Sequence, residues 1–188
     1  MKKLAMLAVT ASLSSAAFAA SETYVIDNTH TYPRFEYNHL GYSIQVSRFD
    51  KTSGKITLDR AAKTGTVDVT IDAKSVNTGY ALFNEHIQAE DYFHTAKYPT
   101  ITFKSGSLKF DGDKLVAVNG DLTVKGVTKP VTLTVTSFHC MPHPMLKRDA
   151  CGANATTKIK RSEFNAGKNA PFVSDEVTLT IPVEAVKE

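Results

Sequence analysis

An all-β fold, an antiparallel sandwich or barrel of short strands, is the class this sequence predicts. Three observations carry that expectation. Apolar and polar residues alternate with period two in segment after segment. Val, Ile and Thr, which suit a pleated half-buried surface, fill those stretches. Turn-forming residues separate them at short intervals.

Segments 22–27, 31–38, 43–49 and 54–60 read as the first strands. In Thr66-Val67-Asp68-Val69-Thr70-Ile71-Asp72 the three aliphatic residues share one face, and Thr and Asp take the other. Thr100 to Lys104 brings Ile101 and Phe103 to one side, and 107–111 and 114–124 follow as strands. Val131 to Thr136 and Val177 to Ile181 alternate without a fault, with a less regular strand over 154–164 between them. Turns are expected at Thr52-Ser53-Gly54, Lys63-Thr64-Gly65, Asp111-Gly112-Asp113, Val118-Asn119-Gly120 and Lys125-Gly126. Each long strand is apolar on one face only. That face fills a core in a sandwich or narrow barrel, and lines a ligand cavity in a wider one. Periodicity does not separate the two.

One segment breaks the period. Across Tyr80 to Ala89, residues Leu82, Phe83, His86 and Ile87 fall on one stripe of a short helix. A helix of that length has no stability alone, so it is expected against the sheet or over one mouth of a barrel.

The N-terminus has the layout of an export signal: Lys2 and Lys3, an apolar run from Leu4 to Phe18, and the small-x-small pattern Ala17-Phe18-Ala19. Cleavage after Ala19 leaves residues 20–188 as one domain outside the cytoplasm. The run is too short to span a bilayer, which takes about 20 apolar residues, and no later stretch reads as a membrane-spanning helix. Losing Lys2 and Lys3 lowers the formal charge from +3 to +1. The remaining basic residues alternate with acids, and no stripe is laid out for nucleic acid.

Cys140 and Cys151 are the two cysteines. In an exported chain such a pair is expected to form a disulfide; the rival is a metal site with His139 and His143. Those histidines flank prolines, so they are not on a helix, and no carboxylate lies close in sequence. No metal site is expected. Catalysis has little to stand on: no Gly-x-Ser-x-Gly elbow, no phosphate-cradling glycine loop and, with the cysteines paired, no thiolate. No Cys-x-x-Cys-His marks covalent haem. The chain reads as a binding protein rather than an enzyme. Of the aromatic residues, Phe35 and Tyr37 share a strand face, and Phe49, Phe93, Tyr98, Phe103 and Phe164 are spread through strands and loops. As a set they suit the lining of a ligand cavity that Leu82, His86 and Ile87 of the helix close. His39 stands at one end of its strand, placed to meet a polar group of a ligand at a barrel mouth.

Several blocks resemble the YceI-like family of exported, lipocalin-like polyisoprenoid-binding proteins. They are Tyr24-Val25-Ile26-Asp27-Asn28-Thr29-His30, then Phe35 with His39-Leu40-Gly41-Tyr42-Ser43, then Phe49 to Ile56. Glu90-Asp91-Tyr92-Phe93-His94 followed by Tyr98 to Ser105 is the most specific. Gly120 to Val131 and Arg161-Ser162-Glu163-Phe164 complete the set. The resemblance covers nearly the whole chain after residue 19. Ser47 and Asn165 stand where the family pattern has Gly, Asn84-Glu85 where it has Arg-Asp, and the cysteine-bearing loop is an elaboration.

The resemblance implies an antiparallel barrel of about eight strands with one short helix near residues 80–89. It implies a long apolar cavity for an isoprenoid lipid, an isoprenoid quinone or another amphiphile such as a fatty-acid amide or hydrophobic drug. A solid-core interaction barrel is the alternative of another class. Periplasmic localisation and a homodimer fit the same resemblance.

Overall fold

The computed structural model describes residues 21–188, so the export signal expected over residues 1–19 lies outside it. The strands are β1 (Glu22–Ile26), β2 (Arg34–His39), β3 (Ser43–Phe49), β4 (Thr52–Asp59), β5 (Thr64–Asp72) and β6 (Val76–Asn77). They continue as β7 (Thr100–Asp111), β8 (Lys114–Val124), β9 (Val127–Pro142), β10 (Asp149–Lys160) and β11 (Glu176–Lys187). Eight of them close into an antiparallel barrel in the order β1-β4-β5-β7-β8-β9-β10-β11, with β11 pairing back onto β1. Closure leaves no free edge around that ring.

The three remaining strands continue three of these eight. β11 pairs with β1 at Ala185–Lys187 and with β2 at Thr178–Thr180, along one edge. β3 runs into β4 through Asp50 and Lys51, and β5 into β6 through a 3₁₀ turn at Ala73–Ser75. Three neighbouring strands are thus interrupted side by side. The local chemistry accounts for it. Pro33 has no N–H to give a ladder. The Asp72 side chain caps the 3₁₀ turn by accepting from Lys74 N at 2.9 Å. Ser75 holds the kink between β3 and β4, its carbonyl accepting from Asp50 N and its hydroxyl from Lys51 N, both at 3.0 Å.

β5 and β7 pair only as far as Asp72 and Thr100. Past that point the short helix α1 (Ala81–His86) and the turns of residues 87–99 stand between β6 and β7. The helix is shorter than the expected 80–89 because the chain turns back at Ile87, whose carbonyl accepts from Phe93 N. Asn84, one of the departures from the family pattern, ties the helix to the loop before it: its Oδ1 accepts from both N and Oγ1 of Thr78 at 2.7 Å.

Two expected turns are strand interior. Gly54 lies within β4 and Gly120 within β8. A Cβ on Gly54 would run into the Asp68 carbonyl of β5, and one on Gly120 would meet the Phe103 ring at 2.7 Å. Both glycines permit close approach across the curved sheet. The expected strands 100–104 and 107–111 are one strand, β7, with a register shift between Lys104 and Ser107. The expected strand 154–164 begins earlier, at Asp149, and ends at Lys160, where a 3₁₀ turn spans Arg161–Phe164. Asn165 closes that turn in the left-handed region, φ 57°, which Asn tolerates and which explains how it stands in for Gly. Ser47, the other such position, is buried in β3. Cys140 and Cys151 lie directly opposite on β9 and β10 and form a disulfide.

Candidate functional site

The apolar faces that the alternation marks all turn inward. Val67, Val69 and Ile71 of β5, Leu133 and Val135 of β9, and Leu179 and Ile181 of β11 line one elongated cavity of about 380 Å³. The interior is therefore not packed solid, and the cavity is within the usual range of roughly 300–1,000 Å³ for small-molecule sites. On β10 the lining residues Gly152, Ala153 and Ala155 carry little side chain, which leaves room against that wall. The lining on β10 runs from Cys151 to Ile159. At about 3.3 Å per residue and a strand tilt near 40°, that is roughly 20 Å along the barrel axis.

One end is sealed. Tyr24, Leu58 and Ala185 are buried there, packed with Phe110, Phe138 and the disulfide. The Tyr24 hydroxyl donates to Glu22 Oε2 at 2.7 Å, and burial together with that carboxylate pushes the phenol up to about 12. Towards the other end the rings of Phe35, Phe49 and Phe93 meet pairwise at 5.5–5.7 Å between centroids. Such contacts add to area burial.

Beyond the aromatic cluster the lining becomes polar. Tyr37, His39, Tyr92, Arg161, Lys168 and Asn169 contribute to it. The Tyr92 hydroxyl lies 3.1 Å from His86 Nε2 and accepts from Asn169 Nδ2 at 3.3 Å. Burial raises the pKa of Tyr37. Arg161 is half-buried and holds the 166–174 loop by donating to four backbone carbonyls: Ser174 from Nε, Ala166 and Lys168 from Nη1, and Val173 from Nη2, at 2.6–2.8 Å. Burial lowers its pKa, and the group is still a cation at any ordinary pH. The backbone bridge between His39 and Val173 joins this loop to β2.

Of the residues singled out from the sequence, Phe35, Tyr37, His39, Phe49, Ile87, Phe93, Phe103 and Phe164 line the cavity. Three do not. Leu82 points to solvent, 63% exposed, because the helix turns Phe83 and Ile87 inward instead. His86 stays outside the wall, stacked on Phe83 and bonded to Tyr92. Tyr98 packs over Gly126 and against His94 on the outside. Sequence reasoning missed Phe83, Tyr92 and Arg161 as lining residues. Phe83 was on the helical stripe, and Tyr92 and Arg161 sit within the family blocks, but inside and outside of the wall are not separable by pattern there.

The chemistry on offer is burial plus a few polar contacts. Among the described residues, Asp27, His30 and Glu184 are the one trio with ligand atoms close enough for a cation. Asp27 and His30 already satisfy each other at 2.8 Å on an exposed turn with Thr29. The cysteines are paired, so the alternative of a metal bound with His139 and His143 has no thiolate, and His143 Nδ1 already accepts from Met145 N and Leu146 N.

A closed antiparallel barrel around a long apolar cavity with a polar collar at one end defines a cavity-bearing β-barrel class. A family model described as a YceI-like domain matches residues 24–185. The chain belongs to the YceI-like family. It is 38% identical over 190 residues to Protein YceI of Escherichia coli O157:H7, covering 100% of this chain and 98% of that protein. Among solved structures, Burkholderia cenocepacia BcnA is similar with a TM-score of 0.74 at 26% identity, covering 85% of this chain and 98% of that one. A polyisoprenoid binding domain from Saccharophagus degradans shares the fold, with a TM-score of 0.64 at 20% identity over 88% of this chain and 98% of that domain.

Proposed function

We propose that this chain is a periplasmic binding protein, exported and cleaved after Ala19, that sequesters or carries a long-chain isoprenoid lipid or isoprenoid quinone. The tail occupies the barrel, and the head group meets the collar of Tyr37, His39, Tyr92 and Asn169. The supporting observation is the cavity itself, elongated, mostly apolar along its length and with a polar collar at one end. Each Å² of tail taken out of water contributes roughly 25 cal/mol, so several isoprene units offset the entropy of holding the chain. Few polar contacts are needed, because they orient the head rather than hold the tail. No reacting constellation accompanies the cavity among the described residues, and we read the protein as a carrier, not an enzyme.

The test is to purify the processed protein from its native host, extract it with organic solvent, and identify the extract by mass spectrometry. A prenyl lipid or quinone at about one per chain is expected. Reproducible absence of any lipid overturns the reading. A fatty-acid amide or another non-prenyl amphiphile in its place keeps the cavity as a binding site and replaces the ligand class.

A further inference from the structure

Thr52 opens β4 immediately after the kink at Asp50 and Lys51, and it lines the cavity. It breaks the pattern of the wall around it. Ile71 lies directly opposite on β5, and Ile56 and Leu58 follow it on the inner face of β4. Thr52 is 3% exposed, and its Oγ1 has no hydrogen-bond partner. Two other buried hydroxyls in the barrel are satisfied. Thr31, which also lines the cavity, has Oγ1 accepting from Glu184 N at 3.1 Å and donating to Glu184 O at 3.3 Å. Ser105 Oγ donates to Asn119 O at 2.5 Å.

An unpaired buried hydroxyl lowers stability, whereas a valine of the same shape would not. Buried polar groups are normally paired, so an exception in a cavity wall calls for a partner that the chain does not supply. We infer that Thr52 is an internal polar anchor: the cavity ligand carries a hydroxyl, carbonyl or amide group that hydrogen-bonds to Thr52 inside the barrel. Rotation about χ1 exchanges the hydroxyl and methyl of Thr, so Oγ1 can be turned to an occupant without backbone movement.

The placement matters for the kind of ligand. Phe49, in the aromatic cluster, precedes Thr52 by three residues, and Ile56 and Leu58 continue towards the sealed end. Phe49 ends β3 and Thr52 opens β4 beyond the kink at Asp50 and Lys51, so Thr52 lies on the sealed-end side of the aromatic cluster. A head group held only at the collar does not reach it. The ligand class is therefore an amphiphile with a polar atom inside the barrel, either entering polar end first or bearing oxygen part-way along its chain.

This inference rests on the cavity-binding reading, and the test separates the two. The delipidated full-length processed protein is loaded with equal amounts of geranylgeraniol and the hydrocarbon in which its hydroxyl is replaced by hydrogen, and the retained ratio is read by mass spectrometry. Wild type is expected to favour the alcohol by about five- to tenfold, the worth of one hydrogen bond in a dry site. Thr52→Val is expected to retain the hydrocarbon as wild type does and to bring the ratio close to one, and Thr52→Ser to keep the preference. Retention of the hydrocarbon by the valine variant shows that its barrel is intact. An alcohol preference that Thr52→Val leaves unchanged, or equal retention of both compounds by wild type, overturns the anchor and leaves the cavity reading standing. Failure of wild type to retain either compound overturns both.

Discussion

Substituting Ala155 by Phe tests whether the barrel interior is room or packing. Ala155 is buried on β10, lines the cavity, and sits opposite Ile181 on β11 and Val135 on β9. In a close-packed core, a ring introduced there would push neighbours off their rotamers and cost about 1–3 kcal/mol. In a cavity of about 380 Å³ it has somewhere to go. Burying a Phe side chain contributes about 1.5–3 kcal/mol over leaving it exposed, and fixing its rotamers takes back up to about 1 kcal/mol. The apoprotein should then gain about 1 kcal/mol. With a urea m-value of about 2 kcal/mol/M, the midpoint rises by roughly half a molar. The same ring occupies the tail's space, so lipid retained through purification should fall at least tenfold. Urea denaturation of delipidated protein reads the first effect, and mass spectrometry of the solvent extract reads the second. The two interiors predict opposite signs. Loss of more than about 2 kcal/mol with unchanged lipid content would refute the cavity.

Arg161→Met removes four hydrogen bonds to loop carbonyls, three of them partly buried, and should cost about 3 kcal/mol in urea denaturation; a loss under about 0.5 kcal/mol contradicts the role of Arg161 in holding the 166–174 loop. The Cys140→Ala/Cys151→Ala double variant opens the β9–β10 cross-link and should lose about 3 kcal/mol, read as a drop in Tm; an unchanged Tm under oxidising conditions contradicts it. Hydrogen bonds from the hydroxyl of Ser162, more than offsetting desolvation, and from its backbone N–H hold the Asp175 carboxyl below its usual range. A lowered folded value means that this stabilisation is present above the unfolded pKa of about 3.9 and is lost as pH falls through the folded one. NMR titration should place the Asp175 midpoint below that of an unfolded Asp, and Asp175→Asn should remove this part of the acid dependence; a midpoint at or above the unfolded value contradicts the assignment.

Much of this barrel is legible from period two alone. The faces of 66–72, 131–136 and 177–181 point as the alternation says, because a strand in a closed barrel has an inside and an outside and nothing else. Legibility fails where a long-range contact sets the local conformation. Gly54 and Gly120 look like turn residues, and only the approach of β5 and β7 makes them strand residues. Leu82 and Phe83 are equally apolar neighbours, and the placement of the helix decides which one faces in. Tyr98 reads as another lining aromatic, but its ring covers Gly126 on the outer surface.

From sequence alone come the strand class, the inward faces, the pairing of the two cysteines and, through the family blocks, the expectation of a long apolar cavity. Each depends on residue type and local spacing, which a linear chain carries in full. Tertiary structure decides that the interior is open and not filled, that it is polar at one end, and that Thr52 lacks a partner while Thr31 has one. Those are properties of the space between strands. Volume left empty by Gly152, Ala153 and Ala155 exists only once β10 faces the opposite wall. A hydroxyl counts as unpaired only when every neighbour within its reach is in place.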